Sequence, residues 1–162
     1  MAGQTRPVSD LNPLHLPHAV AVDIPLRWSD MDAFGHVNNT AFLQFFEDAR
    51  FSAFPAAGVT IEGQVSTRVL LAVRHEVEYR SPLVYGRHRL TIDIWATRLG
   101  SSSVDVAYQA IAHEREQAGV AAVARSRMVM VDVASGRPEA MTDDERAQFA
   151  PHLGPHVEFR GW

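Results

Sequence analysis

Arg27-Trp28-Ser29-Asp30-Met31-Asp32-Ala33-Phe34-Gly35-His36-Val37-Asn38-Asn39 is the stretch on which the fold and the chemistry of this chain turn. Its last ten residues hold two carboxylates, a glycine, a histidine and two asparagines. An apolar helical pattern follows at once. Polar groups gathered in a loop that opens a helix are a common way to build a site. The same residue types also suit an Asx turn and a helix cap with no further role.

C-terminal to the loop, Phe42, Phe45, Phe46, Ala49 and Ala53 recur at steps of three and four, with Leu43 and Phe54 widening the stripe. That period predicts an amphipathic helix whose apolar face is mostly covered, as when a sheet wraps it. Asn38 or Asn39 can cap its first turn, and Pro55 and Gly58 stop it. Glu47, Asp48 and Arg50 mark less buried positions, with Arg50 expected to pair with a carboxylate. N-terminal to the loop, Val20, Val22, Ile24 and Leu26 share one parity, which reads as a strand with an irregular end at Pro25.

Beyond residues 55–65 the period changes to two. Leu71, Val73, His75, Val77 and Tyr79 alternate with charged neighbours; Leu90, Ile92, Ile94 and Ala96 form the next face. Val104 to Ala112 and Val120 to Val133 complete four long strands, and short turns favour pairing as an antiparallel meander. Thr142 with Glu145 three residues on is a capping box, so a short helix is expected over Thr142 to Phe149. One helix against one antiparallel sheet is an α+β arrangement with an uncovered back face and exposed edges, which a dimer can extend. Three segments result: an arm over 1–18, a domain over 19–150 and a tail over 151–162.

The 162 residues suit one domain, and the 46% apolar content supplies a real core. The formal charge of −4 argues against general nucleic-acid binding. All 15 basic residues are arginine, whose forked guanidinium suits phosphate. There is no cysteine, so disulfides and thiolate metal sites are excluded. No apolar run of about 18 residues predicts a membrane span, and the start of the chain does not read as a signal peptide; a cytoplasmic location is expected. His15 with His18 and His152 with His156 lack a carboxylate cluster, so no metal site is expected.

Strand, Asp-x-Asp-x-x-Gly-His-Val-Asn-Asn, helix with Glu47-Asp48-Ala49-Arg50, then long strands resembles the hotdog-fold acyl-CoA thioesterases of the 4-hydroxybenzoyl-CoA thioesterase type. Glu78-Tyr79-Arg80-Ser81-Pro82-Leu83 is similar to that family's Tyr-x-x-Pro element, and Arg98-Leu99-Gly100-Ser101-Ser102-Ser103 to its turn between strands. Val131-Asp132 with Gly136-Arg137-Pro138 is similar to its final strand end. The resemblance implies a hotdog fold of about five antiparallel strands around one long central helix. It implies a homodimer or homotetramer with sites between subunits. The substrate it implies is an acyl-CoA, coenzyme A being part of the substrate and no separate cofactor being needed. It places the catalytic carboxylate on Asp32 and the carbonyl-polarising backbone N–H on Asn39, with His36 as a further candidate. Gly35, Val37 and Asn38 fall in the substrate-binding loop, Glu47 matches a helical carboxylate of some relatives, and Arg98, Ser101 and Ser102 lie where relatives contact the nucleotide. Phe42 stands where many relatives carry tyrosine.

Elementary chemistry agrees with hydrolysis. A carboxylate can serve as general base on water or attack the thioester itself. A helix N-terminus offers free N–H donors for an oxyanion. Gly35 lets the backbone turn between the two. The alternatives are a hydratase or dehydratase using Asp10 and His15 of Asp10-Leu11-Asn12-Pro13-Leu14-His15, and a non-catalytic acyl-thioester binding protein.

Overall fold

The computed structural model describes residues 16–54 and 66–160. The Asp10/His15 motif, most of the expected N-terminal arm, and Pro55, Gly58 and the loop around them lie outside the described residues. Five strands are formed: β1 (Val20–Ile24), β2 (Arg68–Tyr79), β3 (Arg89–Leu99), β4 (Ser103–Glu114) and β5 (Gln117–Asp132). The helix α1 (Ala41–Ala53) lies between β1 and β2, and a short α2 (Asp143–Ala147) follows β5. All pairings are antiparallel, in the order β1-β3-β4-β5-β2. This is the hotdog fold, with a central helix of 13 residues.

The expected meander holds only for β3-β4-β5. β2 pairs with β5, from Arg68↔Asp132 to Tyr79↔Ala122, because β1 already occupies the free edge of β3. β2 therefore forms one outer edge, with Leu71 and Val73 48% and 59% exposed.

The core lies between α1 and one face of the sheet. Phe42, Phe45, Phe46 and Ala49 meet Ile92, Ile94, Val106 and Tyr108, all buried. Phe46 packs 4.8 Å from the Tyr108 ring. Each of the Phe, Ile and Val side chains stabilises the fold by about 1.5–3 kcal/mol when fully buried. Arg50 corrects the expectation that it would mark an exposed position. It is 4% exposed, because its guanidinium reaches inward to donate to the Tyr108 hydroxyl at 3.0 Å. Glu47, on the outer side, lies 3.6 Å from it. α1 ends at Ala53, where Phe54 (φ −129°, ψ 86°) leaves the α region that a following proline disfavours.

α2 has the capping box read from its sequence. Thr142 Oγ1 accepts from the Glu145 N–H at 3.2 Å, and Glu145 accepts from the Thr142 N–H at 2.7 Å. The helix is shorter than expected because Glu145 and Arg68 tie it to β2 (2.9 Å) while the chain passes into a 3₁₀ turn over Ala150–His152. The back face of the sheet is not left bare. Leu153 bridges Ala96, Gly154 N–H donates to Ala96 O at 2.8 Å, and Trp95 Nε1 donates to Pro155 O at 2.7 Å. Val157 joins Trp95, Ala107, Val120 and Val123 in a second apolar cluster there.

His88 gives the fold a pH dependence. Its side chain is 4% exposed; Nδ1 accepts from the Val84 N–H at 3.0 Å and Nε2 lies 3.6 Å from Glu114. Burial holds this imidazole below the ordinary 6.5, against the opposing pull of Glu114. His75 shifts the same way, through burial and then the nearby Arg50. The unfolded chain thus takes up these protons first. Their contribution is complete above the unfolded value and is lost as pH falls through it towards the lower folded values. Urea midpoints are expected to fall as pH drops from about 7 to 5, the window of unperturbed histidine. In His88→Gln the slope in that window should be shallower.

Candidate active site

The loop 31–39 is held as a closed unit. Asp32 N–H donates to His36 O at 2.9 Å, Gly35 N–H donates to Asp32 O at 3.0 Å, and Met31 bridges Val37. Gly35 sits at φ +76° with nothing within 4 Å of where a Cβ would stand, so glycine serves the backbone turn and not a close approach. Val37 is buried, and its N–H donates to Leu83 O at 2.7 Å, which clamps the loop to the segment leaving β2.

Asp30 accepts the Arg27 N–H at 2.7 Å through its carboxylate and the Asn38 N–H at 2.8 Å through its carbonyl, so it shapes the loop. Asp32 is half-buried. Its Oδ1 accepts the Phe34 N–H at 2.9 Å, an Asx turn that fixes the carboxylate and leaves Oδ2 without a bond to any described residue. The N-cap of α1 is Thr40, which makes no side-chain cap bond, and not the asparagine expected; Asn38 instead forms an Asx turn just ahead of it, Oδ1 accepting from the Thr40 N–H at 2.9 Å and its carbonyl accepting from the Ala41 N–H at 3.0 Å. Asn39 differs from its neighbours. Its N–H donates to no described residue, while its carbonyl accepts the Tyr79 hydroxyl at 2.8 Å.

Asp32, His36, Val37 and Asn39 line one open cavity of about 520 Å³, walled by Phe42 and Tyr79 and by the 80–83 segment. Asp32, His36 and Asn39, the residue just before the helix N-cap, therefore line one space. Tyr79 packs edge-on against Phe42 with ring centroids 5.4 Å apart. Where Phe42 brings no hydroxyl, Tyr79 brings one from the neighbouring strand. Nothing in the loop itself pointed to this contact; its signal was the Tyr-x-x-Pro element.

The other expected substrate-binding residues are not brought to this cavity in the same chain. Asn38 is spent on the turn that enters α1, and Glu47 lies near Arg50 two turns along α1. Arg98 lines a different cleft, on the back of the sheet. Ser101 and Ser102 accept the N–H groups of Met141 and Met130 through their carbonyls at 2.9 and 2.8 Å. His152 Nδ1 is 2.9 Å from His18 O, and among the described residues no three His, Asp or Glu side chains group as metal ligands.

The comparisons agree with the fold. A sequence profile of the thioesterase-like superfamily matches residues 26–149. The uncharacterized protein YsmA of Bacillus subtilis strain 168 is 30% identical over 124 residues, 76% of this chain and 80% of YsmA. The PA5185 protein of Pseudomonas aeruginosa PAO1 is 28% identical with a TM-score of 0.73, covering 83% of this chain and 91% of that one. A thioesterase from Thermus thermophilus, solved with coenzyme A and zinc, is 26% identical with a TM-score of 0.67, covering 82% and 98%. The chain belongs to the thioesterase-like superfamily. Its enzyme class is that of the family, thioester hydrolase.

Proposed function

We propose that this chain hydrolyses acyl-CoA thioesters at the cavity between the 31–39 loop and the start of α1. The observation that supports this is that Asp32 and Asn39, whose N–H donates to no described residue, line one open cavity. The thioester oxygen accepts the Asn39 N–H, whose position just ahead of the α1 N-cap lies near the positive end of the helix dipole. Asp32 takes a proton from water, and the water oxygen bonds to the carbonyl carbon as the C=O pair moves onto oxygen. Collapse of that intermediate breaks the C–S bond, and the proton passes to the departing sulfur, giving an acid and a thiol. His36 on the cavity rim is assigned to orient the thioester or carry that proton.

Direct attack by Asp32 is the second route. It gives a mixed anhydride and expels the thiolate, and water then cleaves the anhydride. Turnover in ¹⁸O-water reveals the anhydride route when water attacks its aspartyl carbonyl. Label in the Asp32 carboxylate after a single turnover requires the anhydride; the base route never places it there.

The open cavity and the free β2 edge, with Leu71 and Val73 outward, support a homodimer in which a second copy closes the site. A panel of acyl-CoAs with a thiol reagent tests the function. Release of free thiol is the expected result. Loss of enoyl absorbance without thiol release would point to hydration, and saturable binding with neither signal to a carrier.

A further inference from the structure

Asn39 lines the cavity with an N–H that donates to no described residue. Where that N–H points is set by the two flat peptide units that meet at the residue. The unit between residues 38 and 39 carries it and is held at its carbonyl end, where Asn38 O accepts the Ala41 N–H at 3.0 Å. The unit between residues 39 and 40 is held at both ends. Asn38 Oδ1 accepts the Thr40 N–H at 2.9 Å, and the Asn39 carbonyl accepts the Tyr79 hydroxyl at 2.8 Å.

These bonds differ in origin. The Asn38 bonds, with that from the Asn38 N–H to Asp30 O at 2.8 Å, are made within the loop and the turn it opens, so they move with it. Among the described residues, Tyr79 alone hydrogen-bonds residues 38–40 from the sheet, across 40 positions of sequence. Tyr79 is itself braced. It lies in the β2–β5 ladder opposite Ala122, and its ring packs edge-on against Phe42. Its carbonyl accepts the Arg160 guanidinium at 3.3 Å. The Glu78 carboxylate beside it accepts both Arg80 and Arg160 at 2.8 Å, and Arg80 donates to Glu158 O at 2.8 Å. The docked tail thus backs the end of β2 from which the hydroxyl reaches the loop. Tyr79 is 42% exposed, where water can replace a lost partner, so this bond adds little to stability. Its consequence lies in the direction of the peptide it holds.

We propose, on the reading that the Asn39 N–H receives the thioester oxygen, that Tyr79 is a positioning residue for the hydrolysis. Its hydroxyl holds the Asn39 carbonyl and so fixes the N–H of the same residue towards the place where negative charge develops. An oxyanion donor is effective because it is aimed before the charge appears. A misplacement of about 1 Å can cost roughly a hundredfold. Because Tyr79 acts only through that donor, its effect is bounded by the donor's own, roughly 10²–10³. The bond lies within one chain and needs no exposure of Tyr79, so it is compatible with a second copy on the β2 edge.

The test is a kinetic cycle on the full chain, with the fastest acyl-CoA of the panel as substrate and released thiol as readout. Its corners are the parent, Tyr79→Phe, the Asn39 ester in which oxygen replaces the peptide N–H, and the two changes together. Phenylalanine keeps the ring against Phe42 and removes only the hydroxyl, and a thermal melt close to the parent's reports that the variant folds. Tyr79→Phe is expected to lose roughly tenfold to a hundredfold in kcat at unchanged KM, because the contact it aims is made in the transition state. In the ester, which has no N–H left to aim, the same substitution should cost almost nothing further. A merely structural brace, or a hydroxyl that touches the substrate directly, would cost as much in the ester as in the parent. Parent-like kcat in Tyr79→Phe, or losses that multiply in the double variant, would overturn the inference and leave the Asn39 donor in place. An ester as active as the parent, or a parent inactive on every acyl-CoA, would strike the proposed site itself and the role of Tyr79 with it.

Discussion

Asp32→Asn is expected to lower kcat on acyl-CoA by roughly 10²–10⁴-fold, the range a positioned general base contributes. A loss beyond that range would favour Asp32 as nucleophile. The fold should hardly notice. An asparagine retains an oxygen to accept the Phe34 N–H bond that Asp32 makes at 2.9 Å. The surrounding bonds of the loop, from Asp32 N–H to His36 O and from Val37 N–H to Leu83 O, are backbone only. Steady-state kinetics beside a thermal melt check both halves. A variant that melts like the parent and keeps more than a tenth of its rate would remove Asp32 from the chemistry.

The second large effect belongs to a backbone atom. Replacing the peptide N–H of Asn39 by an ester oxygen is expected to cost roughly 10²–10³ in kcat, the value of one oxyanion donor. The comparison is Asn39→Ala, which keeps the N–H and should lose far less. The Tyr79 hydroxyl bonds the Asn39 carbonyl and not its side chain, so that anchor survives in both proteins. Equal activities in the ester and alanine forms would mean that the oxyanion rests elsewhere.

Much of this architecture was legible because its signals are local. The three- and four-residue steps of Phe42 to Ala49 gave α1, and the Thr142/Glu145 pair gave the start of α2. That Asp32 and Asn39 line one cavity was legible because a loop and the helix it opens are neighbours in sequence. What escaped was set at a distance. β2 pairs with β5 because β1 fills the edge of β3, and no short-range pattern encodes which edge is free. Arg50 looked like a surface charge because its partner, Tyr108, lies 58 residues away. The tail carries no pattern that foretells its docking, yet the Trp95 indole binds it to the back of the sheet.

The most direct measurement is a crystal structure with an uncleavable acyl-CoA analogue in which a methylene separates carbonyl from sulfur. The account requires the analogue's carbonyl oxygen within about 2.7–3.1 Å of the Asn39 nitrogen, with the Asp32 carboxylate facing the carbonyl carbon. An analogue seated with its carbonyl elsewhere, and the Asn39 N–H turned to solvent or to the protein itself, would contradict it.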